Sequence, residues 1–232
     1  MVPILISWSV GVVPTLAATP IEDAMKGEIE KPAIFPSLKD KSVFTVSYTH
    51  VDALRSAIAD CARKQGPVSV LINNAGNDDR HKSEDVSVEY WDERMQVNLR
   101  HQFFAAQAVR LQMRETGGGS IINFGSITWL VGDADCPAYV TAKAAIAGLT
   151  RALAREFGPE KIRVNCILPG WVMTERQIKL WLTPEGDHQI EQRQCLRDRL
   201  YPADIARMAL FLAADDSRMC TSQNFIVDGG WV

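Results

Sequence analysis

Along residues 37–232, short apolar runs alternate with longer stretches in which apolar side chains recur every three or four positions. Runs of about five apolar residues suit buried strands, and the three-to-four spacing gives a helix one apolar face. Residues 41–47 (KSVFTVS) read as the first strand. Val51, Leu54, Ile58 and Ala62 then recur at helical spacing, and Gly66-Pro67 stops that helix. The apolar run 68–72 is a second strand and leads into Asn73-Asn74-Ala75-Gly76. A long helix is predicted from Ser87, whose hydroxyl can cap its first turn, to Thr116, with an irregularity near Asn98. Strands follow at 120–124, 163–168 and 224–227, with helices at 139–157 and 202–214 between them.

Short apolar strands alternating with amphipathic helices predict a parallel sheet covered on both faces. The expected class is α/β, a doubly wound parallel sheet in three α/β/α layers. Residues 1–36 break this rhythm: Pro3, Pro14, Pro20, Pro32 and Pro36 punctuate them, leaving room for one short helix over 21–30. They read as an irregular N-terminal extension, and 37–232 as a single domain.

At 232 residues the chain is long enough for one domain with a sizeable core. Its 47% hydrophobic and 23% charged residues are ordinary for a globular protein. A net charge of −3, with no long basic run, argues against nucleic acid or a membrane as main partner. The apolar stretch 2–18 is too short, and too broken by Pro3 and Pro14, to span a bilayer. No Lys or Arg precedes it, so a secretory signal is not expected. Cys61, Cys136, Cys166, Cys195 and Cys220 form no CxxC pair; reduced thiols in a cytoplasmic protein are expected. His50, His81, His101 and His188 show no ligand spacing, and no metal site is expected.

In a doubly wound sheet, ligands sit at the carboxyl ends of the strands. Four clusters fall there: residues 73–76, Gly125-Ser126, Pro169-Gly170 and the helix start at Tyr139. Any one of them is also an ordinary turn. Together they outline a site. Tyr139 and Lys143 stand four apart, one helical turn, on the same face. A tyrosine hydroxyl titrates near ~10, so a base near neutrality needs that value lowered by about 3, roughly 4 kcal/mol. A lysine charge at ~4 Å in an effective dielectric of ~20 supplies about that much. Tyr139 thus reads as general base, Lys143 as its electrostatic partner, and Ser126 as a hydrogen-bonding group for the reacting oxygen.

With Val97-Asn98 and Asp228-Gly229-Gly230, these residues occur in the order and spacing of the short-chain dehydrogenase/reductase family. The chain resembles that family from near Val46 to its end. The resemblance implies a Rossmann-type fold, a small-molecule substrate, NAD or NADP as cofactor, and a catalytic tetrad of Asn98, Ser126, Tyr139 and Lys143. It implies that Asn74, Ala75 and Gly76 border the adenosine ribose, and that Tyr139 and Lys143 hold the nicotinamide ribose. Pro169, Gly170, Val172 and Thr174 would line the nicotinamide. Asn98 would sit in the helix irregularity, its freed carbonyl holding a water beside Lys143. A homodimer or homotetramer is also implied, and the apolar stripes with Phe103, Phe104, Ala147 and Leu153 suit such a contact.

A narrower resemblance rests on Asn77-Asp78-Asp79-Arg80-His81, Tyr90-Trp91-Asp92-Glu93-Arg94, Asn98-Leu99-Arg100-His101 and Thr183-Pro184-Glu185-Gly186. It is to bacterial aldose 1-dehydrogenases of the D-xylose type, which oxidise the anomeric hydroxyl of a sugar to a lactone. It implies Asn77, Ser126, Trp129, Tyr139 and Trp171 as substrate contacts. The other reading of Trp129 and Trp171 places them in the core or an interface.

One family element is missing from the sequence. No Thr-Gly-x-x-x-Gly-x-Gly follows the first strand, and residues 1–36 hold only Gly11 and Gly27. That turn, with the helix N-terminus behind it, normally receives the pyrophosphate. Between Phe44 and Val68 there is room for one helix, where two crossovers of about 30 residues each would be needed. The N-terminal βαβ portion therefore reads as truncated, with dinucleotide binding impaired. Two functions follow: an NAD(P)-dependent oxidoreductase acting on a sugar or similar secondary alcohol, or a cofactor-deficient relative with a binding or regulatory role.

Overall fold

The computed structural model describes residues 50–232 in full, together with the backbone pairing of residues 8–9 and 42–45. The helix expected over 21–30 lies outside the described residues, as does most of the N-terminal extension. Trp8–Ser9, read as irregular, forms a strand, β1, antiparallel to β2 (Ser42–Thr45).

Helix α1 (Val51–Gln65) buries Leu54, Ile58 and Cys61, ends at Gly66 and leads to β3 (Val70–Asn73). Ser87 caps α2 (Val88–Met95), its Oγ accepting from the Tyr90 amide at 3.1 Å. The helix then widens into a π segment, Gln96–Arg100, before continuing as α3 (His101–Glu115). The irregularity expected near Asn98 is this π turn, a form found frequently at functional sites. Next come β4 (Gly119–Phe124), the short α4 (Thr128–Val131) and α5 (Pro137–Phe157). Helix α5 starts two residues before Tyr139, because proline fits a first turn that offers its N–H no partner. After β5 (Ile162–Pro169) stand two helices that the hydrophobic pattern does not announce, α6 (Glu175–Leu180) and α7 (Pro184–Arg193). Helix α8 (Pro202–Ala213) and β6 (Asn224–Val227) complete the order.

Strands β2 to β6 are parallel and lie in chain order, each paired with the next. Successive side chains on a strand point to opposite faces, and the core divides accordingly. Leu71, Ile121 and Val164 pack on one face with Leu54 and Ile58 of α1, Val109 and Met113 of α3, and Leu153 and Phe157 of α5. Val70, Ile122 and Ile167 pack on the other against Ile205, Ala209 and Leu212 of α8. Full burial of such a side chain stabilises the fold by about 1.5–3 kcal/mol. The expected α/β/α layering is present. Three crossovers pass over the first face while the sheet advances in one direction. The fourth, through α8, advances the same way over the second face, so its hand is opposite to theirs. Among the described residues, no helix is long and apolar enough to cross a membrane.

Candidate active site

The carboxyl ends of β3, β4 and β5 and the first turns of α5 surround a cavity of about 1010 Å³. Asn74, Gly76, Ser126, Tyr139, Lys143, Pro169, Gly170, Trp171, Val172 and Thr174 line it. Ala75, Asn77, Asn98 and Trp129, also singled out in the sequence, are not part of that lining. Asn77 is engaged by its neighbours: its amide donates to Asn98 Oδ1 at 2.7 Å, and its own Oδ1 accepts from the Asp79 amide at 2.9 Å. Trp129 packs with Ile127, Ile146, Cys166 and Leu168. Asn77 and Trp129 thus stand outside this lining, and Trp129 packs, partly buried, at the edge of the core.

Lys143 is only 3% exposed, and its Nζ donates to the Phe124 carbonyl at the end of β4, at 2.8 Å. The same carbonyl accepts from Gln102 Nε2 at 3.3 Å, and Gln102 Nε2 also reaches the Asn98 carbonyl at 3.4 Å. The carbonyl expected to be free in the π turn therefore has a side-chain donor within reach. Gly76 closes the other side of the lysine, since a Cβ there would meet Lys143 Nζ at 3.1 Å and Asn98 Oδ1 at 3.2 Å. A residue with no side chain lets the loop after β3 come this close. Burial pushes the Lys143 ammonium down to about 8, because the charged form loses its water.

Beneath the lysine, Asn73 Nδ2 donates to Asn123 Oδ1 at 2.9 Å, and Asn123 Nδ2 donates to Thr150 Oγ1 at 3.0 Å. These bonds tie β3, β4 and α5 together under the site. His101, one turn beyond Asn98, is buried, and its imidazole is pushed down to about 4, first by burial and then by the Lys143 charge. It is neutral at pH 7.

Ser126 Oγ accepts from the Thr128 amide at 3.2 Å, which leaves its proton available to the Tyr139 oxygen. That hydrogen bond favours the phenolate. Burial outweighs it, and the Tyr139 hydroxyl stands well above its ordinary range. Lys143 Nζ lies 5.5 Å from the centre of the Tyr139 ring. Burial is thus the larger influence on this phenol in the structure as it stands, against the lowering expected from the lysine's spacing.

One wall of the cavity is charged. Arg80 donates from Nη1 to Asp133 Oδ2 at 2.8 Å and stacks over Trp181 at 5.4 Å. Arg176 of α6 pairs with Asp79 at 2.6 Å and Asp78 at 3.4 Å, and Gln177 Nε2 donates to Asp78 Oδ2. These contacts tie α6 to the loop after β3. Trp171, Trp181 and Trp231 also line the cavity, and their buried indole N–H groups have no partner among the described residues. Flat apolar surface and spare donors thus stand side by side.

The turn after β5 is held against the turn after β6. A Cβ on Gly170 would lie 2.6 Å from Asp228 Cβ and 2.8 Å from its Cα. Gly170→Ala is expected to destabilise the protein by about 1–3 kcal/mol, the usual cost of forcing an extra methyl into packed structure. Scanning calorimetry reads this as a lower Tm, and an unchanged Tm would show that the two turns can separate freely.

The nicotinamide end of a dinucleotide fits these residues: a glycine-cradled lysine, a tyrosine beside it, and the 169–174 turn converge on one cavity. The pyrophosphate end does not. Helix α1 carries the chain directly from β2 to β3, and the strand beyond β2 is the antiparallel β1. Among the described residues the parallel strand order does not reverse, and none of them forms the crevice that such a reversal creates. No group of metal-ligating side chains occurs among the described residues.

A family profile described as enoyl-(acyl carrier protein) reductase matches residues 13–232. D-xylose 1-dehydrogenase of Caulobacter vibrioides is 53% identical over 182 residues, covering 78% of this chain and 71% of that enzyme. A Rhizobium meliloti protein described as "probable galactose dehydrogenase" is 51% identical over 181 residues, covering 78% of this chain and 71% of its own. A solved 7α-hydroxysteroid dehydrogenase, complexed with NADH and 7-oxo glycochenodeoxycholic acid, matches with a TM-score of 0.75 at 30% identity. That match covers 78% of this chain and 71% of the other. With a parallel sheet, a π-turned helix and a Tyr-Lys pair at the strand ends, the chain belongs to the short-chain dehydrogenase/reductase family of oxidoreductases.

Proposed function

We propose that the protein oxidises the anomeric hydroxyl of an aldose, or a similar secondary alcohol, with NAD or NADP. The convergence of Ser126, Tyr139 and Lys143 on one cavity carries the reading. The sugar as substrate class is supported by the relatives named for xylose and galactose. Trp171 and Trp181 offer ring faces to the apolar side of a sugar, and Arg80 and Asp78 offer polar groups to its hydroxyls.

A bound dinucleotide supplies the hydride acceptor. Asn74, Ala75 and Gly76, with Tyr139 and Lys143, would hold its riboses, and Pro169, Gly170, Val172 and Thr174 its nicotinamide. Ser126 orients the substrate oxygen, and Tyr139 takes the hydroxyl proton. The Lys143 charge, held in place by the Phe124 carbonyl, stabilises the phenolate form of Tyr139 that accepts this proton, and the transfer leaves a neutral phenol. Asn98 acts through the Asn77 amide, pinning the loop after β3 against the lysine. Steady-state oxidation of D-xylose and D-galactose with either dinucleotide tests the reading. An absence of turnover with every pair, at dinucleotide concentrations that titration shows to occupy the site, would refute it.

The direct β2–α1–β3 crossover favours a second reading, a cofactor-deficient relative that keeps the fold and serves a binding or regulatory role. Under the first reading, dinucleotide at about 100 times its Kd raises stability by ~2.7 kcal/mol. Under the second, it raises stability not at all.

The proposed assembly is a homo-oligomer, with α3 and α5 facing a second copy. Met95, Leu99, Phe103, Phe104, Ala145 and Leu149 form an apolar hollow of about 360 Å³ on that side. Light scattering is expected to show a dimer or larger assembly that Phe103→Glu dissociates, since a buried unpaired carboxylate is costly. A wild-type monomer at micromolar concentration would contradict this.

A further inference from the structure

We propose that His81 is a positioning residue for Tyr139, acting as the missing cap of helix α5; the inference rests on the reading of Tyr139 as the proton-transferring group. The first N–H groups of a helix have no partner within it. At the start of α5 the capping position is held by Cys136, whose side chain makes no capping bond. Ala138, the second residue of the helix, is fully buried, so water does not reach its amide. Its partner comes from a residue 57 positions away: the Ala138 N–H donates to His81 Nε2 at 3.2 Å. Tyr139 is the next residue.

The remaining contacts fix the imidazole in the state this bond requires. His81 Nδ1 lies 2.9 Å from the Asp79 carbonyl, which can only accept. Nδ1 therefore carries the proton, and Nε2 keeps the lone pair that the Ala138 amide needs. The Tyr90 hydroxyl stands 3.1 Å from the same Nδ1, and the two rings meet edge to face at 5.0 Å. The His81 backbone amide donates to the Asp135 carbonyl at 2.8 Å, one residue before the cap. Helix α2, the loop after β3 and the first turn of α5 are thus joined through one imidazole ring. That ring sets where the Tyr139 hydroxyl points.

Two variants test the assignment. His81→Phe keeps a ring and loses the acceptor, whereas His81→Gln places a carbonyl oxygen at about the reach of Nε2. For sugar oxidation, His81→Phe is expected to lower kcat about tenfold with KM changed less than about twofold, the size of a lost cap felt at the transition state. His81→Gln is expected to restore most of the loss. Amide hydrogen exchange reads the same bond without turnover: Ala138 should exchange about tenfold faster in His81→Phe, and Ala142 should not. In His81→Gln the Ala138 rate should return toward that of the wild type. Unchanged Ala138 exchange in His81→Phe would overturn the proposal, as would faster exchange along the whole of α5, which would make His81 a general support of the helix. A protein inactive toward every sugar would refute the proposed activity, yet the Ala138 exchange rates would still decide the cap.

Discussion

Tyr139→Phe is expected to reduce sugar oxidation by about three orders of magnitude while leaving the fold intact. Proton transfer by a positioned side chain contributes about 10²–10⁴-fold, and no neighbouring group can take over this step. Lys143 is pinned to the Phe124 carbonyl, and the Ser126 oxygen accepts from the Thr128 amide. Phenylalanine keeps the ring that packs over the lysine and removes a hydroxyl whose ionisation burial opposes. The stability change should therefore stay within about 1 kcal/mol, the net worth of one hydrogen bond. Parallel measurements of kcat and Tm separate the two effects. Near-full turnover in the variant would remove Tyr139 from the mechanism.

The second large effect concerns the cofactor. This chain is expected to bind NAD and NADP several orders of magnitude more weakly than relatives that carry the glycine-rich turn. That turn brings backbone N–H donors and a helix N-terminus to two phosphate charges. Charge-assisted hydrogen bonds contribute about 1.5–3 kcal/mol each, so losing two or three costs most of the affinity of an ordinary dinucleotide site. On the proposed reading, the residues around Gly76 and the 169–174 turn would address ribose and nicotinamide only. Titration calorimetry is the direct measurement. A micromolar Kd for either dinucleotide would show that the N-terminal residues rebuild the phosphate site by another route.

The strands and long helices were legible because burial on a sheet face or along one helix stripe leaves a period in the sequence. Whereas the irregularity at Asn98 was implied by the family resemblance, Ser87 as cap and the one-turn spacing of Tyr139 and Lys143 follow from such local rules. The direction of the lysine charge did not. Spacing places two side chains on one helical face, but it says nothing of the Phe124 carbonyl that holds Nζ. A backbone acceptor has no letter in the sequence. His81 and Gln102 were missed for a related reason, since their partners arrive only when β3, β4 and α5 come together. Helices α6 and α7 carry caps in Thr174 and Thr183, whose side chains accept from the Gln177 and Gly186 amides. Neither has a long apolar stripe, and a cap without a stripe reads as a turn.

The consecutive strand order has a consequence for how the molecule forms. Every parallel pairing joins a strand to the one made just before it, so no strand must wait for a distant partner to be synthesised. Pairing in chain order keeps each loop that must close shorter, and its entropy cost lower, than a reversed order would. The floor of the cavity, built from β3, β4 and α5, can therefore assemble while the later residues are still emerging from the ribosome. The α6–α7 segment and the crossover of opposite hand come last. A partly made chain would present its tyrosine and lysine before it had the walls to enclose a sugar.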